Sequence, residues 1–335
     1  MMYNVAVIAG GDSGEYEISL KTADNIFNQL DKSLFNSYLI HLKGADWHYT
    51  DSDGRVWQVD KNDFSLTVGQ EKIRFDVAFI AIHGTPGENG RLQAYFELVG
   101  QPYTGCGVFC SALTFNKYFC NLAVAALNIP ISPSLHFYKS DPIEYERIEK
   151  FLGYPCFVKA CNSGSSVGVT KVHNRSEVDM AFEEAFKYDN QLMVEKFVRG
   201  REFTCGVTSV YGEPRMLAVT EVVASNEFYD YNAKYTAVGH KLITPADLPA
   251  DMVKLMGDYA LRIFHSFDCH GVVRIDFILS EDDGRPYFLE VNTIPGQTAL
   301  SIVPGQVEYN NLDIKEFYTK MVMEALMFKT VKGER

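Results

Sequence analysis

The sequence predicts an α/β protein built in three parts, and three observations carry that reading. A buried strand, YNVAVIAGG, opens a β-α-β unit; a glycine- and serine-rich loop at 162–166 joins two short strands; and an apolar hairpin folds around Asp282, Asp283 and Gly284. With 335 residues and 47% hydrophobic content, the chain has enough apolar surface for two or three cores. Pattern changes divide it into 1–105, 106–199 and 200–335.

The first part reads as a strand ending in glycines, a helix from about Glu15 to Leu30 and a second strand near SYLIHL. DWHYTDSDGRVWQV follows as a hairpin-like insert whose role is not legible. The next strand, DVAFIAIHG, runs into the Gly-rich TPGENG and the helix RLQAYFELVG. Glu15 and His83 fall beyond the carboxyl ends of strands, where open α/β sheets bind ligands. The second part starts with a helix over SALTFNKYFCNLAVAAL, passes through IPISPS, and continues as helix, strand, glycine loop, strand, helix and strand to about Val198. The third part is mostly antiparallel strands with one long helix at 249–265.

Composition excludes several classes. A net charge of −12 with no basic run disfavours a nucleic-acid or anionic-membrane partner. No apolar run approaches the roughly 18 residues that span a bilayer. MMYNVAVIAGG lacks the basic flank of a secretion signal, so the cytoplasm is expected. The seven cysteines are odd in number and contain no C-x-x-C pair, which points to reduced, structural thiols. Cys106 and Cys110 lack nearby partners at zinc-ligand spacing.

Two familiar motifs fail on context. GSSVG at 164–168 has the hydrolase spacing with Ser166 in the nucleophile's place, but VGVTKV continues as a strand where the motif requires a helix. Gly10, Gly11 and Gly14 are not spaced G-x-G-x-x-G, and the second strand ends in His41, Leu42 and Lys43 without a ribose-binding acid. In an acidic protein, lysines inside apolar runs stand out. Lys159 and Lys196 are the clearest, although a strand lysine also snorkels to solvent.

The segment 271–296, GVVRIDFILSEDDGRPYFLEVNTIPG, is the most informative. A turn centred on Asp283 sets Asp276 opposite Glu290 and Arg274 opposite Asn292. Period-two alternation puts these four on one face, and Val273, Ile275, Phe277, Leu289 and Val291 on the other. Facing carboxylates about 5 Å apart repel unless something positive joins them. Asp276, Glu290 and Asn292 are the hard oxygen donors that magnesium prefers; a solvated hairpin face in an acidic protein gives the same pattern. A side-chain-poor loop at 162–166 is suited to close its backbone N–H groups and hydroxyls over phosphate oxygens.

With these pieces the sequence resembles the D-alanine-D-alanine ligases of the ATP-grasp superfamily from about residue 4 to 328. The blocks GGDSGEYEISL, IAIHGTPGENGRLQ, PYTGCGV, GSSVGVTKV, VEKFVRGREFT, FYDYNAKY, RIDF and LEVNTIPG occur in the family's order. The resemblance implies a Rossmann-like N-terminal α/β domain followed by two α+β domains clamping a nucleotide. It also implies ATP with two magnesium ions, replaceable by manganese, D-alanine as the small-molecule substrate, and a homodimer.

By the same resemblance, Lys117, Lys159, Ser166, Glu195, Lys196, Glu202 and Lys234 belong to the nucleotide site, with Lys234 on a lid segment. Asp276, Glu290 and Asn292 match the metal ligands. Glu15 matches the group that holds the first substrate's ammonium in a set with Ser165 and Tyr235; a helix N-terminal acid is also favoured by the macrodipole alone. His83 matches a first-substrate neighbour, though strand-end histidines are often structural. Ser301 and the backbone of Ile302 match the second substrate's carboxylate site. Arg274 and the N–H of Gly296 match stabilisers of the tetrahedral oxyanion. The chain departs from the commonest pattern at Ala160, Asn232, Gln297 and Ile302, the last two expected near the second-substrate pocket. Tyr235 is retained, which favours an amine acceptor over a hydroxyl.

Overall fold

The apolar run VAVIA belongs to a strand covered on both faces, as a parallel strand must be. In a computed structural model of the chain, which describes residues 2–164, 167–224 and 240–332, β1 (Tyr3–Gly10) pairs in parallel with β2 (Phe35–Lys43) and with β7 (Val77–Ile80). Between β2 and β7 the chain makes β3 (Asp46–Thr50), β4 (Val56–Asp60), β5 (Ser65–Val68) and β6 (Glu71–Arg74), which extend the sheet antiparallel to the order β6-β5-β4-β3-β2-β1-β7. The insert is thus more than one hairpin, and it packs Trp47, Trp57 and Phe64 over Ile8 and Ile40. Helix α1 (Tyr16–Gln29) covers one face through Ala23 and Ile26; α2 (Arg91–Leu98) places Leu92 and Phe96 on the other.

The expected single helix after Ser111 is two, α3 (Val108–Phe115) and α4 (Lys117–Ala125). Asn116 has φ −87° and ψ 104°, and its side chain accepts from the N–H of Phe119. It caps a new helix instead of continuing the old one. The break puts Lys117 at the first position of α4, facing the interior of the molecule.

The second sheet has the order β10-β9-β11-β8 and is antiparallel: β8 (Ser134–Tyr138), β9 (Cys156–Ala160), β10 (Val169–Val172) and β11 (Gln191–Lys196). With α5 (Tyr145–Phe151) and α6 (Val178–Ala185) it buries Phe137, Ile148, Val158 and Phe182. That β10 is a strand removes the hydrolase reading of GSSVG.

The third sheet, β14-β13-β12-β15-β16, comprises β12 (Gly200–Thr208), β13 (Arg215–Ala224), β14 (His240–Ile243), β15 (Val272–Ser280) and β16 (Pro286–Asn292), backed by α7 (Ala250–Ser266). Its core also takes in Cys110, Cys120 and Val124 from α3 and α4. The chain ends in α8 (Ile302–Tyr309) and α9 (Ile314–Lys332). Phe317, Tyr318 and Val322 of α9 return to the first sheet and bury against Val7 and Phe79.

The β15/β16 register sets Asp276 against Glu290 and Arg274 against Asn292. Nearer the turn it slips, pairing Phe277 with Phe288. Leu289 is the extra residue of this bulge, so the expectation that it shares the buried face fails. Phe288 fills the core and Leu289 lines the cleft below, because a bulge re-aims the side chains that follow it.

Candidate active site

The three sheets enclose one cleft of about 1170 Å³, large for a single small molecule. Glu15, His83, Lys117, Lys159, Glu195, Lys196, Glu202, Arg274, Asp276, Glu290, Asn292, Gly296, Ser301 and Ile302 all line it. Ser165, Ser166, Lys234 and Tyr235 lie outside the described residues.

At the hairpin, Arg274 donates from Nε and Nη2 to both oxygens of Asp276, at 3.0 and 2.9 Å. Asn292 Nδ2 donates to the same carboxylate at 3.0 Å, and the Thr204 hydroxyl donates from β12. Across the pair, Lys117 Nζ lies 3.2 Å from Glu290 and donates to the Ser163 carbonyl at 2.8 Å. Burial opposes the charge on Lys117, but the neighbouring Glu290 carboxylate outweighs it and holds the lysine's pKa above the ordinary value. The repulsion expected between Asp276 and Glu290 is therefore offset within the protein, each carboxylate having its own cation. Two carboxylates and an amide oxygen on one face remain a donor set that suits a hard divalent ion.

Beyond Ser163 the backbone at Gly164 comes close to the start of α1. A Cβ on Gly164 would lie 2.9 Å from Glu15 Oε2, so only glycine brings the backbone this near the carboxylate. Glu15 stands at the N-terminus of α1, makes no side-chain cap bond to it, and is buried. His83 is fixed from two sides: its Nδ1 is 2.9 Å from the Ile294 carbonyl and its Nε2 2.9 Å from Thr22 Oγ1. The carbonyl can only accept, so Nδ1 carries hydrogen and donates, and neutral Nε2 accepts from the threonine. Burial pushes the His83 pKa down, which favours this neutral form. The residue ties β7 to the loop after β16.

A residue that sequence reading passed over stands beside it. Glu88, in the TPGENG turn, accepts from the Gly84 N–H at 2.7 Å and from the Ile294 N–H at 3.4 Å. Burial, then the Glu15 carboxylate, raises its pKa from 4.5 to about 8. The signal available in the sequence was an acid in a glycine turn at a strand's carboxyl end. Below pH 4.5 both folded and unfolded chains keep this proton; between 4.5 and about 8 the unfolded chain loses it first, so stability falls as pH rises through that window. Glu88→Gln should flatten this part of the curve. Melting temperatures of variant and parent from pH 5 to 8 test it: the difference should grow in the variant's favour with pH, and parallel curves would refute it.

The far end of the cleft is more apolar. Phe157 of β9, Met193 of β11 and Phe197 just past β11 line it together with Ile278 and Leu289 of the third sheet. Lys171, also not singled out in the sequence, lies over the Phe197 ring at 4.2 Å. Lys159 pairs with Glu195, a buried carboxylate that also accepts from Asn121 Nδ2 at 3.3 Å. A flat aromatic ring fits this slot, whose own rings carry Lys159 over Phe157 and Lys171 over Phe197.

Ser301 precedes α8, and its hydroxyl contacts the Thr298 N–H and Oγ1 at 3.0 and 2.8 Å, making no cap bond to the helix. With no side chain capping it and Ile302 lining the cleft, the N-terminus of α8 suits a carboxylate. Gln297 was expected near this pocket, but it points away: Tyr318 donates to its Oε1 at 3.2 Å within the first-sheet core. Asn232 lies outside the described residues.

Among the described residues, no helix is long and apolar enough to cross a membrane. The descriptions "D-ala D-ala ligase N-terminus" and "D-ala D-ala ligase C-terminus" match residues 4–106 and 123–323. A D-alanine--D-alanine ligase of Parabacteroides distasonis is 42% identical over 332 residues, covering 99% of this chain and 100% of the relative. The crystal structure of a D-alanyl-alanine synthetase A from Vibrio cholerae superposes with a TM-score of 0.88 at 33% identity, covering 97% of this chain and 99% of its own. A VanG D-Ala:D-Ser ligase from Enterococcus faecalis gives 0.85 at 30%, covering 97% and 100%. Two domain matches and 42% identity over nearly the whole length agree with the cleft's geometry: the chain belongs to the D-alanine-D-alanine ligase family.

Proposed function

We infer that the chain joins two D-alanine molecules into D-alanyl-D-alanine at the expense of ATP, through an acyl phosphate, for peptidoglycan precursor synthesis. The observation that carries this is the convergence in one cleft of a paired-carboxylate hairpin, interior lysines, an aromatic slot and an open helix N-terminus.

The slot between Phe157 and Leu289 takes the adenine, with Glu195, Lys196 and Glu202 around the nucleoside and Lys117 and Lys159 toward the phosphates. Asp276, Glu290 and Asn292 would hold magnesium, whose contribution is to neutralise phosphate charge so that a carboxylate can approach. Glu15 holds the first substrate's ammonium, with neutral His83 beside it. Ser301 and the N–H of Ile302 orient the second substrate's carboxylate, leaving its amine to attack. Arg274 and the Gly296 N–H face the developing oxyanion. Ser165, Ser166, Lys234 and Tyr235 complete the site in this reading, which the family resemblance alone supports.

Gly296 has a steric reason to be glycine. A Cβ there would sit 2.9 Å from Ser301 Oγ. Gly296→Ala should displace Ser301 and raise the KM for the second D-alanine by on the order of tenfold, with ATP affinity unchanged. An equal loss for both substrates would count against this placement.

ADP release that requires D-alanine, with L-alanine as control, tests the activity; a nucleotide-binding protein without turnover would release none. D-serine is the second acceptor to weigh, because a D-Ala:D-Ser ligase shares the fold at 30% identity. Competition among D-alanine, D-serine and D-lactate ranks the three, and the retained Tyr235 supports D-alanine. Two attributes rest on resemblance: a cytoplasmic setting and a homodimer. Exposed Leu98 and Phe109, on the packed pair α2 and α3, are consistent with a dimer, and light scattering of the purified chain decides it.

A further inference from the structure

Cys106, Cys110 and Cys269 bring their sulfur atoms within 4.8 Å of one another, all three side chains buried. Cys110 and Cys269 are 159 residues apart in sequence, yet their sulfurs are 3.5 Å apart. Cys106 lies just before α3, Cys110 in its first turn, and Cys269 between α7 and β15. Two glycines make the meeting possible. A Cβ on Gly271, which has φ +69°, would sit 3.2 Å from the Gly105 Cα.

Packing alone accounts for Cys120, Cys156, Cys161 and Cys205 as small hydrophobes. The trio differs: among the described residues it is the one place where three or more Cys, His or acidic ligand atoms come this close. Zinc–sulfur bonds of about 2.3 Å in a tetrahedral shell put sulfurs about 3.8 Å apart, close to the spacing already present. The His270 carbonyl, 3.7 Å from Cys106 Sγ, borders the same spot. Sequence spacing offered Cys106 and Cys110 no zinc partner; the fold supplies one from the other end of the chain.

We propose that Cys106, Cys110 and Cys269 form a binding site for a soft divalent cation of the zinc class, separate from the hard-oxygen site on the β15/β16 hairpin. On binding, each thiol yields its proton to solvent and the three thiolates coordinate the ion, with water or the His270 carbonyl filling the remaining position. The ion would tie the start of α3 to the segment that leads into β15, the strand carrying Arg274 and Asp276.

Cadmium is a suitable probe, because thiolate-to-cadmium charge transfer absorbs in the ultraviolet and oxygen ligands give no such band. The full chain, kept reduced with a phosphine and saturated with magnesium, should develop this band to one equivalent per chain and melt at a higher temperature. Cys110→Ala and Cys269→Ala should each weaken cadmium binding by on the order of tenfold or more, since even outer-shell changes at metal sites cost that much. Cys156→Ala should leave it unchanged. Cys106→Ser, which conserves volume, provides the same reading if an alanine variant does not fold. The proposal is overturned if the parent shows no band, or if the band keeps its affinity in the cluster variants.

Discussion

Glu290→Gln should lower kcat by on the order of 10²–10³-fold while leaving nucleotide binding within a few fold. The substitution keeps the side chain's shape and its place opposite Asp276, so the hairpin register and the bulge at Leu289 persist. It removes a charge that has two tasks. Glu290 is the partner of Lys117, 3.2 Å away and largely buried, and in the proposed site it is a carboxylate ligand to the divalent ion. Losing it leaves a buried lysine without its counter-charge and the ion with one anionic ligand fewer, just where phosphoryl charge is redistributed. The Phe157 and Met193 slot, the proposed adenine seat, is untouched by the substitution. D-alanine-dependent ADP release measures the first effect, and fluorescence or calorimetric titration with ATP the second. Near-parent turnover would remove Glu290 from the chemistry.

The hairpin was legible because its information is local. A period-two pattern around a turn fixes which residues face each other, and the pairs 276/290 and 274/292 follow from counting alone. So did the break between a failed nucleophile elbow and a strand-loop-strand. What was not legible depends on contacts between distant segments. Nothing in PYFLEVN marks Leu289 as a bulge residue, since its composition suits either face. Asn116 inside a helical pattern reads as a tolerated polar residue until its side chain is seen to cap Phe119. Glu88 gains its raised pKa from burial against the Ile294 loop and from Glu15, 73 positions earlier in the chain. Cys269 lies 159 positions beyond Cys110 in the chain, so only the tertiary fold reveals their contact. The expectation that positive charge must accompany the two carboxylates is met by Arg274 and Lys117, cations the protein supplies from its own chain.

That double use of Arg274 makes Arg274→Lys the sharpest test of geometry against charge. The guanidinium spans both oxygens of Asp276 at 3.0 and 2.9 Å, a fork that a lysine cannot reproduce with its single ammonium. Charge at the site is conserved in the variant, so bulk electrostatic attraction for ATP and the balance against Asp276 both survive. What is lost is the planar fork on the Asp276 carboxylate, which Asn292 and Thr204 also contact, and with it the donor that the proposed mechanism aims at the reacting carbonyl. If Arg274 acts on the oxyanion, kcat should drop by on the order of 10²–10³-fold with the KM for ATP and for the first D-alanine within about threefold. If it only neutralises Asp276, lysine should substitute with little loss. Steady-state kinetics with each substrate varied in turn separates the two, and a uniform rise in KM at constant kcat would assign Arg274 to binding alone.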